Sequence, residues 1–135
     1  LLRIRMFNLL TALIDTCRQN PFVPLTAEIM QALEFIETCI ESGNELRLED
    51  VADRLHLSLS YFKMRFTREI GISPWKYICK RRVEIAQNLL CDGRSITDVS
   101  YELHYSSMQH FSTSFKAFTG LSPHEWLMNS QPNRT

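Results

Sequence analysis

From Ser95 to Trp126 the chain reads SITDVSYELHYSSMQHFSTSFKAFTGLSPHEW. Ile96, Val99 and Leu103 fall at helical spacing, and Phe111, Phe115 and Phe118 mark one face of a second helix after the turn His104-Tyr105-Ser106. Gln109, Ser112, Thr113 and Lys116 lie on another face of that second helix. A short helix that braces a second one with an outward polar face suits insertion into the major groove of a duplex.

The pattern occurs twice: residues 48–78 repeat residues 96–127. Leu48, Val51, Leu55 and His56-Leu57-Ser58 correspond to Ile96, Val99, Leu103 and His104-Tyr105-Ser106. The later copy then carries one extra residue, after which Phe62, Phe66, Gly71, Ser73 and Pro74 correspond to Phe111, Phe115, Gly120, Ser122 and Pro123. Two copies make a duplicated module, not a solenoid. The bland alternative is a pair of hairpins that only pack together, which would not need a polar face on the second helix of each.

The punctuation of each copy has a mechanism. Gly71 and Gly120 stand where a helix stops at positive φ. Ser73-Pro74 and Ser122-Pro123 then supply an N-cap and a first helical residue. Ser106 followed by Gln109 resembles a capping box, and Ser95 caps the helix that contains Asp98.

The chain has 135 residues, 44% of them hydrophobic, and a formal net charge of zero. Charge is uneven: residues 1–46 hold three basic and six acidic residues, and residues 47–135 hold twelve and nine. A surplus of +3 is a weak electrostatic footprint, so placement matters as much as total charge. Cys17, Cys39, Cys79 and Cys91 form no CxxC pair and read as buried reduced thiols, which fits a reducing cytosol. No metal-ligand spacing, Gly-rich phosphate loop or nucleophile arrangement is present, so an enzyme is disfavoured and no cofactor is implied. There is no signal peptide and no run long enough to span a bilayer. A helical protein-interaction module remains the rival class; it would show no salt-dependent DNA binding.

Taken in order, residues 3–19 carry the stripe Met6, Leu9, Leu10, Leu13, Ile14 and Cys17, ended by Asn20-Pro21 and Pro24. Thr26 can cap a helix to about residue 41 that buries Ile29, Leu33, Ile36 and Ile40 and stops at Ser42-Gly43-Asn44. Support and recognition helices follow over 48–55 and 59–70, a connecting helix over 74–90, the second module, and a last helix from Pro123 to near Met128. Strand-type alternation is absent. The expected fold is all-α: two helix-turn-helix modules joined by a long connecting helix, with a helix in front of them. Lys80, Arg81 and Arg82 form a basic cluster on the connecting helix, either a solvated face or a phosphate contact.

With those residues in hand, the chain resembles the AraC/XylS family of bacterial transcription regulators over roughly Ile29 to Leu127. The resemblance is most specific in Arg81-Arg82-Val83-Glu84-Ile85-Ala86 with Leu89-Leu90, in Ser95-Ile96-Thr97-Asp98-Val99, and in Phe111, Phe115, Gly120, Ser122 and Pro123. It implies a two-module DNA-binding domain over residues 25–128, behind the tail helix of a regulatory or dimerisation domain at residues 1–24, with a frayed tail at 129–135. It implies double-stranded DNA as partner, with RNA polymerase as a further candidate. The apolar stripe of the front helix leaves three partners open: the rest of the chain, a preceding sensor domain, or a second copy in a homodimer, which a sensor domain could equally mediate. The setting implied is the bacterial cytoplasm, on the nucleoid, with activation as the outcome. Base-facing positions carried over are Ser60, Lys63 and Met64, then Met108, Gln109, His110, Ser112 and Thr113. Thr67, Lys116, Arg81 and Arg82 would lie toward phosphate, with the helix N-termini at Ser58 and Ser106. Met64 and Met108 have ordinary packing as their alternative. Gln109 is the best single reader, able to pair with adenine. His104 departs from the family, which often has Gly there; a non-Gly residue at positive φ is strained, though His tolerates it better than most.

The two outer faces differ, so one chain should read an asymmetric site. Two recognition helices on straight DNA sit about 34 Å apart, and a rod holding them closer would bend the duplex at a cost of about 1–6 kcal/mol. The alternative is that only one module engages bases.

Overall fold

A computed structural model of the chain describes residues 24–130. Seven helices run through them: α1 (Ala27–Ser42), α2 (Leu48–Arg54), α3 (Leu59–Ile70), α4 (Pro74–Cys91), α5 (Ile96–Glu102), α6 (Met108–Thr119) and α7 (Pro123–Ser130). No strand occurs among the described residues. The expected front helix and residues 131–135 lie outside them. Helix α7 continues through Asn129 and Ser130, which the sequence reading placed in a tail. The boundary between two compact units falls between Ile78 and Cys79, inside α4.

Four of the described helices end on one device, with glycine or histidine at its centre. Gly43 (φ 71°) and Gly93 (φ 90°) each sit in the left-handed region just past a helix end. The residue after each donates back to a carbonyl in the last turn: Asn44 to Cys39 at 3.1 Å, and Arg94 to Leu89 at 3.1 Å. This is the double reverse bond that satisfies orphan carbonyls at a helix C-terminus. His56 (φ 56°) and His104 (φ 60°) take the same place after α2 and α5, with Leu57 bonding to Ala52 and Tyr105 to Ser100. Histidine thus occupies a position that glycine fills without steric cost.

In the first unit Ile29, Leu33, Ile36, Val51, Phe62, Phe66 and Ile78 are buried. Phe66 meets Phe62 and Tyr77 edge to face, each pair with ring centroids 5.7 Å apart. Two carboxylates are buried with them. Glu37 accepts from the Tyr77 hydroxyl at 2.9 Å, and Glu69 accepts from the Thr26 main-chain N–H at 2.6 Å. Thr26 stands at the N-cap of α1 but makes no side-chain cap. Its hydroxyl instead accepts from Arg65, whose guanidinium also pairs with Glu28 and Glu69. Arg65 therefore ties α3 to the start of α1.

In the second unit Val83, Ala86 and Leu90 of α4 pack with Val99, Leu103, Phe111 and Phe115. Phe115 contacts Phe111 at 5.7 Å and Trp126 at 5.8 Å. The cysteines differ from expectation: Cys39 is buried, Cys79 half-buried and Cys91 exposed, while Cys17 is outside the described residues. Burial raises the pKa of both the Cys39 and the Cys79 thiol.

Candidate nucleic-acid interface

Helices α3 and α6 are twelve residues each and start alike. The Ser58 hydroxyl accepts from the Tyr61 N–H at 3.2 Å, and the Ser107 hydroxyl accepts from the His110 N–H at 3.0 Å. The N-cap of α6 is Ser107 and not Ser106 as expected: the extra residue of the later copy lies in the turn, which pushes the helix start back by one. The third helical residue is then His110, so Gln109 closes no capping box. Ser106 is exposed and its hydroxyl lies 3.1 Å from the His110 Nδ1.

Neither α3 nor α6 has an acidic residue in its first turn, whereas α2 has Glu49 and Asp50 and α5 has Asp98. The positive ends of the α3 and α6 dipoles therefore face solvent without a carboxylate of their own, which favours an approaching anion.

About 100° of rotation per residue puts Ser60, Lys63, Met64 and Thr67 on one stripe of α3, about 110° round from the stripe of Phe62, Phe66 and Ile70. All four are exposed, Met64 at 56%. The matching stripe of α6 is Gln109, Ser112, Thr113 and Lys116, flanked by Met108 at 40% exposure. Ser112 is half-buried and the others are exposed. Both methionines thus stand outside the core.

Three expected contacts change in light of the geometry. Arg81 is buried and ion-paired with Glu84 one turn on, so its guanidinium is not presented to a phosphate. Arg82 and Lys80 are half-buried. The Thr67 hydroxyl donates to the Lys63 carbonyl at 2.8 Å, and Thr113 does the same to Gln109 at 2.9 Å. With its hydroxyl hydrogen taken in this rotamer, Thr67 has none to give the phosphate expected for it, and Thr113 has none to give the base expected for it. His110 is held from behind, its ring 5.6 Å from that of Tyr105 in an edge-to-face contact.

Two residues on α3 escaped the sequence reading. Arg65 is internal clamp rather than surface charge, a role foreshadowed only by Glu69 four residues on. Tyr61 is 45% exposed, with the Arg65 guanidinium 5.7 Å from its ring centroid. Its spacing from Phe62 and Phe66 excludes it from the buried face, which was the available signal.

A family model described as a helix-turn-helix domain matches residues 51–129. The chain is similar to the Msm operon regulatory protein of Streptococcus mutans, at 29% identity over 131 residues, 95% of this chain and 47% of that protein. It is similar to the HTH-type transcriptional activator RhaS of Escherichia coli at 31% identity over 84 residues, 62% of this chain and 30% of that protein. Among solved structures, the C-terminal domain of AraT, a response regulator from Geobacillus stearothermophilus, superposes with a TM-score of 0.71 at 29% identity, covering 78% of this chain and 87% of that one. The chain spans between 11% and 47% of the length of curated relatives that it matches.

Proposed function

This chain belongs to the AraC/XylS-type helix-turn-helix family of DNA-binding transcription regulators, and from that premise we propose that α3 and α6 read two successive major-groove segments of one asymmetric DNA site. The observation that carries the proposal is the pairing of like scaffolds with unlike faces. Both helices are capped by serine, lack a first-turn carboxylate and project a solvent-exposed stripe. The stripes differ: Ser60, Lys63 and Met64 on one, Gln109, Ser112 and Thr113 on the other. Identical faces would suit two copies of one half-element; dissimilar ones suit two different half-elements.

Base reading falls to Lys63, which can donate to guanine O6 or N7, to Gln109, which pairs with adenine N6 and N7, and to Met64, Met108 and the threonine methyls against thymine. Phosphate contact falls to Lys116 and to the free main-chain N–H groups after Ser58 and Ser107. Activation, with RNA polymerase as the second partner, is the outcome we favour, in keeping with the name of the RhaS relative. Residues 1–24 belong, in this reading, to the junction with a regulatory or dimerisation domain.

Selection of bound fragments from a random duplex pool tests the proposal. The expected result is a non-palindromic motif with two conserved blocks about one helical turn apart. A palindrome, or one block alone, would remove the two-helix reading.

A further inference from the structure

We propose that Tyr61 is a DNA-backbone contact of the first recognition helix, donating its phenol hydroxyl to a phosphate oxygen. The inference rests on the reading of α3 as a groove-binding helix. It starts from a comparison between matched positions. Tyr61 and His110 are each the third residue of a recognition helix, and each main-chain N–H is taken by the N-cap serine. In the second unit the polar atom of the ring is used within the protein, since His110 Nδ1 meets the Ser106 hydroxyl that the longer turn supplies. The shorter first turn has no such serine. The Tyr61 ring is braced by the Arg65 guanidinium at 5.7 Å, yet 45% of the residue is exposed.

Arg65 in turn is fixed by Thr26, Glu28 and Glu69. The ring therefore has a fixed support behind it while nearly half of the residue is open to solvent, and a hydroxyl presented there is a neutral donor held at little entropic cost. Its direction selects the phosphate over the bases. Tyr61 lies about 100° round the helix from Ser60, on the flank that also bears Arg68, while Ser60, Lys63 and Met64 face forward. When a helix enters a major groove, the forward stripe meets base edges and the flank meets the sugar-phosphate wall.

The test is Tyr61→Phe in the full chain, with binding measured on selected and unrelated duplexes across a salt series. Loss of one hydroxyl donor to a charged acceptor should weaken binding about ten- to a hundredfold on every duplex. The salt slope should not change, because a neutral group displaces no counterion. The melting temperature should stay at the wild-type value, since the ring and its contact with Arg65 remain. Binding within twofold of wild type overturns the proposal, as does a loss confined to one sequence, which would make Tyr61 a base reader. Wild-type protein that binds no duplex in a salt-dependent way overturns the groove-binding reading and this inference with it.

Discussion

Phe115 and Trp126 meet edge to face with ring centroids 5.8 Å apart, and Phe66 and Tyr77 repeat that contact at 5.7 Å in the other unit. In each case the phenylalanine comes from the recognition helix and the second ring from the helix that follows the glycine stop. That contact fixes how the recognition helix sits on its own core, so the outward stripe inherits its orientation from a buried ring. Phe115 is fully buried. Phe115→Ala should destabilise the chain by about 3–5 kcal/mol, a large share of the ~5–15 kcal/mol that holds a domain folded. Urea unfolding followed by tryptophan fluorescence measures it; a cost below about 1 kcal/mol would show that the ring is dispensable.

His56 predicts the opposite sign. Its φ of 56° places a Cβ in the left-handed region, where a non-glycine residue is strained by about 1–2 kcal/mol. His56→Gly relieves that strain, and part of the gain is offset by the greater freedom of glycine in the unfolded chain. The net expectation is a stabilisation of up to about 1 kcal/mol, read as a higher urea midpoint with an unchanged slope. A lower midpoint would mean that the imidazole makes a contribution larger than the strain.

Much of this was legible in advance, for identifiable reasons. Apolar spacing and serine or glycine punctuation are local, and they located α3 over the residues now seen, with the other described helices within a residue or two. The AraC/XylS resemblance was borne out by the family match. The matching of Tyr77 with Trp126 was hidden because the two rings differ in type. So was the likeness of α1 to the second half of α4, where Leu33, Ile36 and Ile40 correspond to Val83, Ala86 and Leu90. Loops of different length separate those helices from their modules and break a fixed offset. The burial of Arg81 was hidden for another reason: a cluster Lys80-Arg81-Arg82 shows charge, but which member turns inward depends on helix phase against a core that only the fold supplies. Ser106 and Ser107 could not be told apart, since an inserted residue can be absorbed on either side of a turn.

The two best-placed polar groups on α6 should behave differently. Gln109→Ala should relax preference at one base pair by about 1–3 kcal/mol and leave the other positions of the motif as they were. Lys116→Ala should weaken all duplexes about equally and lower the salt slope by about one. Repeating the selection with each variant separates the two. A Gln109→Ala motif identical to wild type would take Gln109 off the reading face, and an unchanged slope would take Lys116 off the phosphate wall.

Alkaline pH gives an independent view of the second recognition helix. Tyr105 leads into α6, packs its ring 5.0 Å from that of Phe111, and has its hydroxyl 3.5 Å from that of Ser114. Burial raises its pKa above the ordinary 10.0, a rise that the bond with Ser114 and the charge of Arg82 only partly oppose and that nearby Cys79 reinforces. A raised pKa means that the native state holds the proton more tightly than the unfolded chain. The associated stability is thus fully present below the ordinary tyrosine pKa and is lost as pH rises past it through the folded-state value. Tyr105→Phe cannot ionise, so its urea midpoint should fall less than that of wild type between neutral pH and strongly alkaline pH. Cys79 titrates in both proteins, so the comparison isolates the phenol together with its coupling to that thiol. Parallel declines would show that the phenol is as free to ionise in the folded chain as in the unfolded one, and that the turn before α6 is open to water.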